Sequence, residues 1–223
     1  MRYYPIFINL TNKRCLLVGA GRIGRRKLTS LLDAGPAEIM VVDPKPPVLE
    51  LVELLTRPGV IFANRSFDQD DLEDRFLVLA ASNDRATNSH IASLCARRDI
   101  LCNVVNASEI CSFIVPAYFC LGDLTVAIST AGLSPALAQA VARDLREQLA
   151  SRYETLLLLL GRLRPLVLAL GWETERNTEL FRALIASPLA DRLATGNLED
   201  VVGLLRQQLP TILHDHIDTL LTG

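Results

Sequence analysis

Gly19, Gly21 and Gly24 stand in a G-x-G-x-x-G spacing, directly after the apolar run at 14–18 and directly before a stretch of helical periodicity. That pattern suits a dinucleotide. A glycine at 19 allows a tight turn, one at 21 lets the backbone approach a pyrophosphate, and one at 24 lets the helix pack close to the strand. Arg22 and Ile23 fall at the start of the helix, where free N–H groups and the helix dipole favour an anion. Asp43 closes the next apolar run, 19 residues after Gly24, with Pro44 beside it. A carboxylate there accepts hydrogen bonds from the adenine ribose and repels a 2′-phosphate, which points to NAD rather than NADP. Arg22, Arg25, Arg26 and Lys27 offer a competing reading, because a basic helix start can hold a 2′-phosphate; Arg25, Arg26 and Lys27 can equally be the solvated face of the helix. Ser82 and Asn83 follow a further apolar run at 76–81. Small residues at a strand's carboxyl end leave room for the nicotinamide ribose, and Asn83 can bond it; Asn83 or Asp84 can also simply cap the next helix. A glycine-rich turn beside a surface aspartate is the bland alternative. The register of strand, glycines, helix and acid outweighs it.

A second group lies at 129–134. Ser129, Thr130, Gly132 and Ser134 form a loop that opens a helix, with Ser134 as N-cap and Pro135 in the first helical position. Free N–H groups and hydroxyls make such a loop an anion site, although a capped helix start explains the same residues. His90, on a helix, reads as structural or exposed. Cys15, Cys95, Cys102, Cys111 and Cys120 form no CxxC and no ligand spacing. They read as reduced thiols in a cytoplasmic protein, with no metal site.

The elements that position these residues follow from short apolar runs at 14–18, 38–43, 60–63, 76–81 and 101–105, separated by helical stretches. Continuous apolar strands between helices imply a parallel sheet covered on both faces. Two further strands are expected at 111–115 and 124–128, followed only by helices. The fold class is α/β: a Rossmann-type parallel sheet, a small intermediate region and an α-helical C-terminal module, with bounds at 1–113, 114–150 and 151–223. The chain has 223 residues, half of them hydrophobic, and a formal charge of −2 from 23 basic and 25 acidic side chains. Disorder is excluded by the apolar content, and nucleic acid by the charge. The greasiest stretch, 156–170, is broken by Gly161, Arg162, Arg164 and Pro165, which argues against a membrane span. The first ten residues lack the features of a signal peptide.

Read in order, Pro5-Ile6-Phe7-Ile8-Asn9-Leu10, the stretch from Gly19 to Lys27, Asn103-Val104-Val105, Ser112-Phe113-Ile114-Val115-Pro116 and the run from Ala127 to Ala138 resemble the precorrin-2 dehydrogenase domain of siroheme synthases. The similarity covers about residues 1–150 closely and the helical tail loosely. It implies NAD-dependent oxidation of precorrin-2 to sirohydrochlorin, iron insertion in some members, and a homodimer built through the region 114–150. The length leaves no room for the methyltransferase module that some members carry, so a stand-alone dehydrogenase is expected. The resemblance places Asn106, Ser129 and Thr130 at catalytic positions and Asn103, Gly132 and Ser134 at the substrate. The family usually has an aspartate at position 106. An amide is no general base at neutral pH, so dehydrogenation is expected to persist and ferrochelatase activity to be weak or absent. The alternatives are a bifunctional dehydrogenase and ferrochelatase, or an NAD-sensing regulatory protein, which would not need the 129–134 loop.

Overall fold

Short apolar runs without alternation are buried only when both faces of their sheet are covered. In the computed structural model, which describes residues 3–222, the first unit is built that way. Met1, Arg2 and Gly223, the outermost residues of the expected domain bounds, lie outside the described residues. Strands β1 (Arg14–Val18), β2 (Glu38–Val42), β3 (Val60–Ala63), β4 (Leu77–Ala80) and β5 (Leu101–Val104) pair in the order β3-β2-β1-β4-β5, every pair parallel. Helices α1 (Arg22–Asp33), α2 (Leu49–Leu55) and α3 (Arg85–Arg97) and a 3-10 turn at Gln69–Leu72 make the crossovers. Alternate residues of β1 serve opposite layers. Cys15 and Leu17 pack with Leu28, Ile39 and Leu51, whereas Leu16 and Val18 pack with Val78, Ile91 and Cys95. This is the Rossmann-type α/β sheet that the apolar runs predict, with its topological switch point between β1 and β4.

The unit closes at Val115 and a second begins at Pro116. The strand expected at 111–115 does not form. Ser112 Oγ accepts from Cys102 N at 2.7 Å, Ser112 N donates to Cys102 O at 2.9 Å, and Cys111 Sγ accepts from Val104 N at 3.0 Å. Bonds that are largely from side chains thus hold this segment against β5, and the next strand starts after Pro116. β6 (Ala117–Leu121) and β7 (Leu124–Ile128) form an antiparallel hairpin. Gly122, with φ 55°, takes the first central position of its two-residue turn, where a type II′ turn demands glycine.

Helix α4 runs without a break from Pro135 to Ala169. The expected boundary at 150 falls inside it, because its two halves do different work. Ala142 packs on Phe119 and Leu121 of the hairpin. Leu156, Leu159, Leu163 and Val167 lie on one face and form a core with α5 (Thr174–Ala186), α6 (Leu189–Thr195), α7 (Leu198–Gln208) and α8 (Ile217–Thr222). Burial of that face outweighs Gly161 and Pro165, which look like stops in isolation. Gly196, with φ 72°, ends α6, and Asn197 caps α7 by accepting from Asp200 N. Among the described residues no helix is long and apolar enough to cross a membrane.

Candidate functional site

The carboxyl ends of β1, β2 and β4 meet at the glycine turn. Gly19 has φ 91°, and a Cβ there would lie 2.6 Å from the backbone of Ala81 and Ser82. A Cβ on Gly24 would lie 1.9 Å from Gly19 O, so the helix touches the turn through a missing side chain. A Cβ on Gly21 would meet nothing within 4 Å; this glycine faces open space. Gly21 is the N-cap of α1 and supplies no side-chain cap, and the first turn has no acid. The N–H groups of Arg22, Ile23 and Gly24 therefore end the helix unpaired within it. With the dipole behind them, they suit a pyrophosphate.

Asp43 does more than the sequence indicates. Its Oδ2 accepts from Ala20 N at 2.7 Å and its Oδ1 from Lys45 N at 2.8 Å. The carboxylate thus pins the glycine turn to the loop after β2 and keeps further lone pairs that could accept from a ligand hydroxyl. Asp43, Arg22, Arg25, Lys45, Pro46 and Val48 line a cavity of about 150 Å³. Pro44 is exposed at the centre of the Asp43–Lys45 turn and does not line it. Nothing in the sequence distinguishes Lys45 from a surface lysine. The basic run of α1 divides. Arg25 pairs with Glu50 at 3.1 Å, Arg26 is exposed, and Lys27 turns inward.

Ser82 belongs to the scaffold of the loop after β4. Its N–H and Oγ–H both donate to Oδ1 of the buried Asn88, whose Nδ2 donates back to Ser82 O at 2.9 Å. Asp84, not Asn83, caps α3, accepting from Ala86 N and Thr87 N. Asn83 is exposed, and no hydrogen bond holds its amide among the described residues. His90 is exposed and lines a separate cavity with Ser66, Phe67 and Asp84. Asn88 is a buried polar residue that helical periodicity alone does not flag.

Asn103 is 8 % exposed and fully engaged: its Oδ1 accepts from Lys27 Nζ at 2.7 Å and its Nδ2 donates to Phe113 O at 3.0 Å. It sits in the layer between sheet and α1, so the structure gives it structural partners rather than an open face. Asn106 follows the end of β5, exposed, with φ 59°. In the second unit, Ser129 Oγ accepts from Ala131 N, Thr130 Oγ1 from Ser134 N, and Ser134 Oγ from Leu137 N. Ala131 and Gly132 take left-handed φ values of 53° and 88°. The three hydroxyl oxygens brace the loop as acceptors, and none of the three hydroxyls donates a hydrogen bond to another described residue. Among those residues no group of three or more His, Cys, Asp or Glu side chains is gathered to hold a metal ion.

Comparison with known proteins agrees with this geometry. The siroheme synthase of Thioalkalivibrio sulfidiphilus is 33% identical over 219 residues, covering 98% of this chain and 44% of that protein. The siroheme synthase of Methylococcus capsulatus is 34% identical over 205 residues, covering 92% of this chain and 43% of that protein. The chain therefore spans less than half the length of these curated relatives. Among solved structures, SirC, a precorrin-2 dehydrogenase, superposes with a TM-score of 0.74 at 25% identity, covering 92% of this chain and 100% of that one. The family model NAD_binding_7, described as "Putative NAD(P)-binding", matches residues 6–117, half of the chain. That stretch holds the whole sheet, the glycine turn and Asp43, and the chain belongs to this NAD(P)-binding family.

Proposed function

We propose that the chain is an NAD-dependent precorrin-2 dehydrogenase that yields sirohydrochlorin, acting in the cytoplasm as a homodimer. The observation that carries the reading is the match to SirC along that protein's entire length, joined to a glycine turn whose unpaired N–H groups suit a pyrophosphate. The reaction removes a hydride, with its electron pair, and a proton from the macrocycle; NAD+ supplies the hydride acceptor and the proton goes to solvent or to a substrate carboxylate. The N–H groups of Arg22, Ile23 and Gly24 hold the pyrophosphate, Asp43 the adenine ribose, and Asn83 the nicotinamide ribose. Asn106 orients the substrate without acting as base, and the hydroxyls of Ser129, Thr130 and Ser134 donate to carboxylates of the polyanionic substrate. A chain of net charge −2 thereby meets a polyanion through local donors rather than a basic surface.

Precorrin-2 added to the protein with NAD+ is expected to produce NADH, followed by its absorbance. Folded protein that binds NAD+ yet forms no NADH would favour a sensor instead. The role of Asp43 has its own test. Asparagine offers one acceptor oxygen where the carboxylate uses both, and hydrogen bonds to charged groups contribute about 1.5–3 kcal/mol. Asp43→Asn is expected to weaken NAD+ binding about tenfold by calorimetric titration, and unchanged affinity would remove Asp43 from the site.

A further inference from the structure

Lys27 lies about one turn beyond Gly24 on α1, and its side chain is half-buried. Its Nζ donates to Oδ1 of Asn103, 76 residues further along the chain, at 2.7 Å. The other end of the same amide donates to Phe113 O at 3.0 Å and lies 3.7 Å from Cys111 Sγ. One polar chain therefore joins three segments: the helix whose N-terminus suits a pyrophosphate, β5, and the stretch 105–113 that carries Asn106.

This link is an expensive way to hold a fold together. Among the described residues no carboxylate pairs with the Lys27 ammonium. Lys27 is half-buried, and taking an ammonium even partly out of water without a counter-charge is costly, whereas an apolar side chain of similar length fills such a layer more cheaply. Burial first, and then the positive charge of Arg26, hold the ammonium below the usual lysine value, with Cys111 pulling the other way. What the cation supplies that an apolar side chain would not is a strong, directed donor where α1 meets the segment that carries Asn106.

We propose that Lys27 is a positioning residue: through Asn103 it makes dinucleotide occupancy at the start of α1 felt by the segment carrying Asn106. The inference rests on reading the glycine turn as the dinucleotide site. An anion on the N–H groups of Arg22–Gly24 fixes the first turn of α1, and Lys27, three residues on, hands that restraint to Asn103 and so to Phe113. Hydrogen-bond networks of this kind carry coupling when they have two discrete arrangements that the ligand biases, which is what the experiment below reads.

Hydrogen exchange of the full chain, with and without saturating NAD+, reads the coupling without any substrate. In the natural chain and in Lys27→Arg, NAD+ is expected to slow exchange of the 103–113 peptide about fivefold or more, the lower range for coupled sites. In Lys27→Met, NAD+ still binds but leaves this peptide's exchange unchanged. Asn103→Ser cuts the same chain at its other end and is expected to give the same loss, which keeps the test open should Lys27→Met fail to fold. NAD+ protection that is equal in the natural chain and in either cut variant would overturn the inference, as would natural protein that binds NAD+ with no change at 103–113. Natural protein that binds no NAD+ would overturn the dinucleotide reading itself, and the inference with it.

Discussion

Gly24→Ala is expected to abolish NAD+ binding and to cost the N-terminal unit about 3 kcal/mol, the upper range for overpacking a site that cannot yield. The added Cβ would stand 1.9 Å from Gly19 O and 2.9 Å from Gly19 C, and both obstacles are backbone. The turn cannot retreat. Gly19 N donates to Val42 O at 2.8 Å, Gly19 already abuts Ala81 and Ser82, and Ala20 N is held by Asp43. The helix cannot retreat either, because Leu28 and Leu31 on the same helix are buried in the core beneath it. Any relief moves the first turn of α1 off the turn, and with it the N–H groups that would hold the pyrophosphate. Gly21→Ala is the matched control. Its Cβ meets no protein atom and its φ of −65° is open to any residue, so the cost is about 1 kcal/mol or less, that of an alanine N-cap. NAD+ affinity is nevertheless expected to fall in Gly21→Ala, since the methyl group enters the space the pyrophosphate would occupy. Chemical denaturation and NAD+ titration of the two variants separate the effects. Equal stability losses would mean that the clearance between α1 and β1 is not what Gly24 provides.

That contrast shows what kind of information a sequence carries. The three glycines share one spacing, and their spacing correctly implies a turn between strand and helix. It also anticipates that only one of them, Gly21, faces open space, because the pattern itself encodes the three roles. The sheet is equally legible, since five short apolar runs bounded by polar turns leave few other arrangements. Less was legible wherever a side chain bonds to distant backbone. Val104 N and Cys102 N go to Cys111 and Ser112, so a segment that reads as a strand becomes a strap on β5. Asp43 reads as a ribose ligand, yet its bond to Ala20 N depends on two loops meeting. Asn103 reads as a substrate residue only through the resemblance and Lys27 as part of a basic helix start, and their pairing across the sheet layer has no local signature. The length of α4 was hidden for a different reason: Gly161 and Pro165 oppose helix locally, and only the burial of Leu156, Leu159, Leu163 and Val167 overrides them.

Asn106→Asp is expected to raise sirohydrochlorin ferrochelatase activity about a hundredfold, the lower end of what one positioned general base contributes, while NAD-dependent dehydrogenation changes little. On the proposed function, the two reactions make unequal demands on position 106. Dehydrogenation exports its electrons as a hydride to NAD+, and the proton that follows can leave to water. Iron insertion requires two pyrrole protons to depart as the metal enters, with no other acceptor of electrons or charge to assist. An amide cannot take either proton, whereas an exposed aspartate, with an ordinary pKa near 4, is ionised and able to do so at neutral pH. The backbone makes this exchange a clean test. Asn106 has φ 59°, a left-handed conformation that asparagine and aspartate both tolerate and that most residues resist. It is exposed, so the new charge needs no partner. Thermal stability should therefore stay within about 0.5 kcal/mol of the natural chain, as for other surface substitutions, and a change in iron insertion can be assigned to proton transfer rather than to folding. Asn106→Ala completes the comparison: it loses the left-handed preference as well as the polar group, so it should lower stability and leave chelation as weak as in the natural chain. Iron insertion by the natural chain at the rate of Asn106→Asp would remove position 106 from the proton path. A gain in Asn106→Asp without any loss of dehydrogenation would instead show that one side chain decides whether this site ends at sirohydrochlorin or carries it on to siroheme.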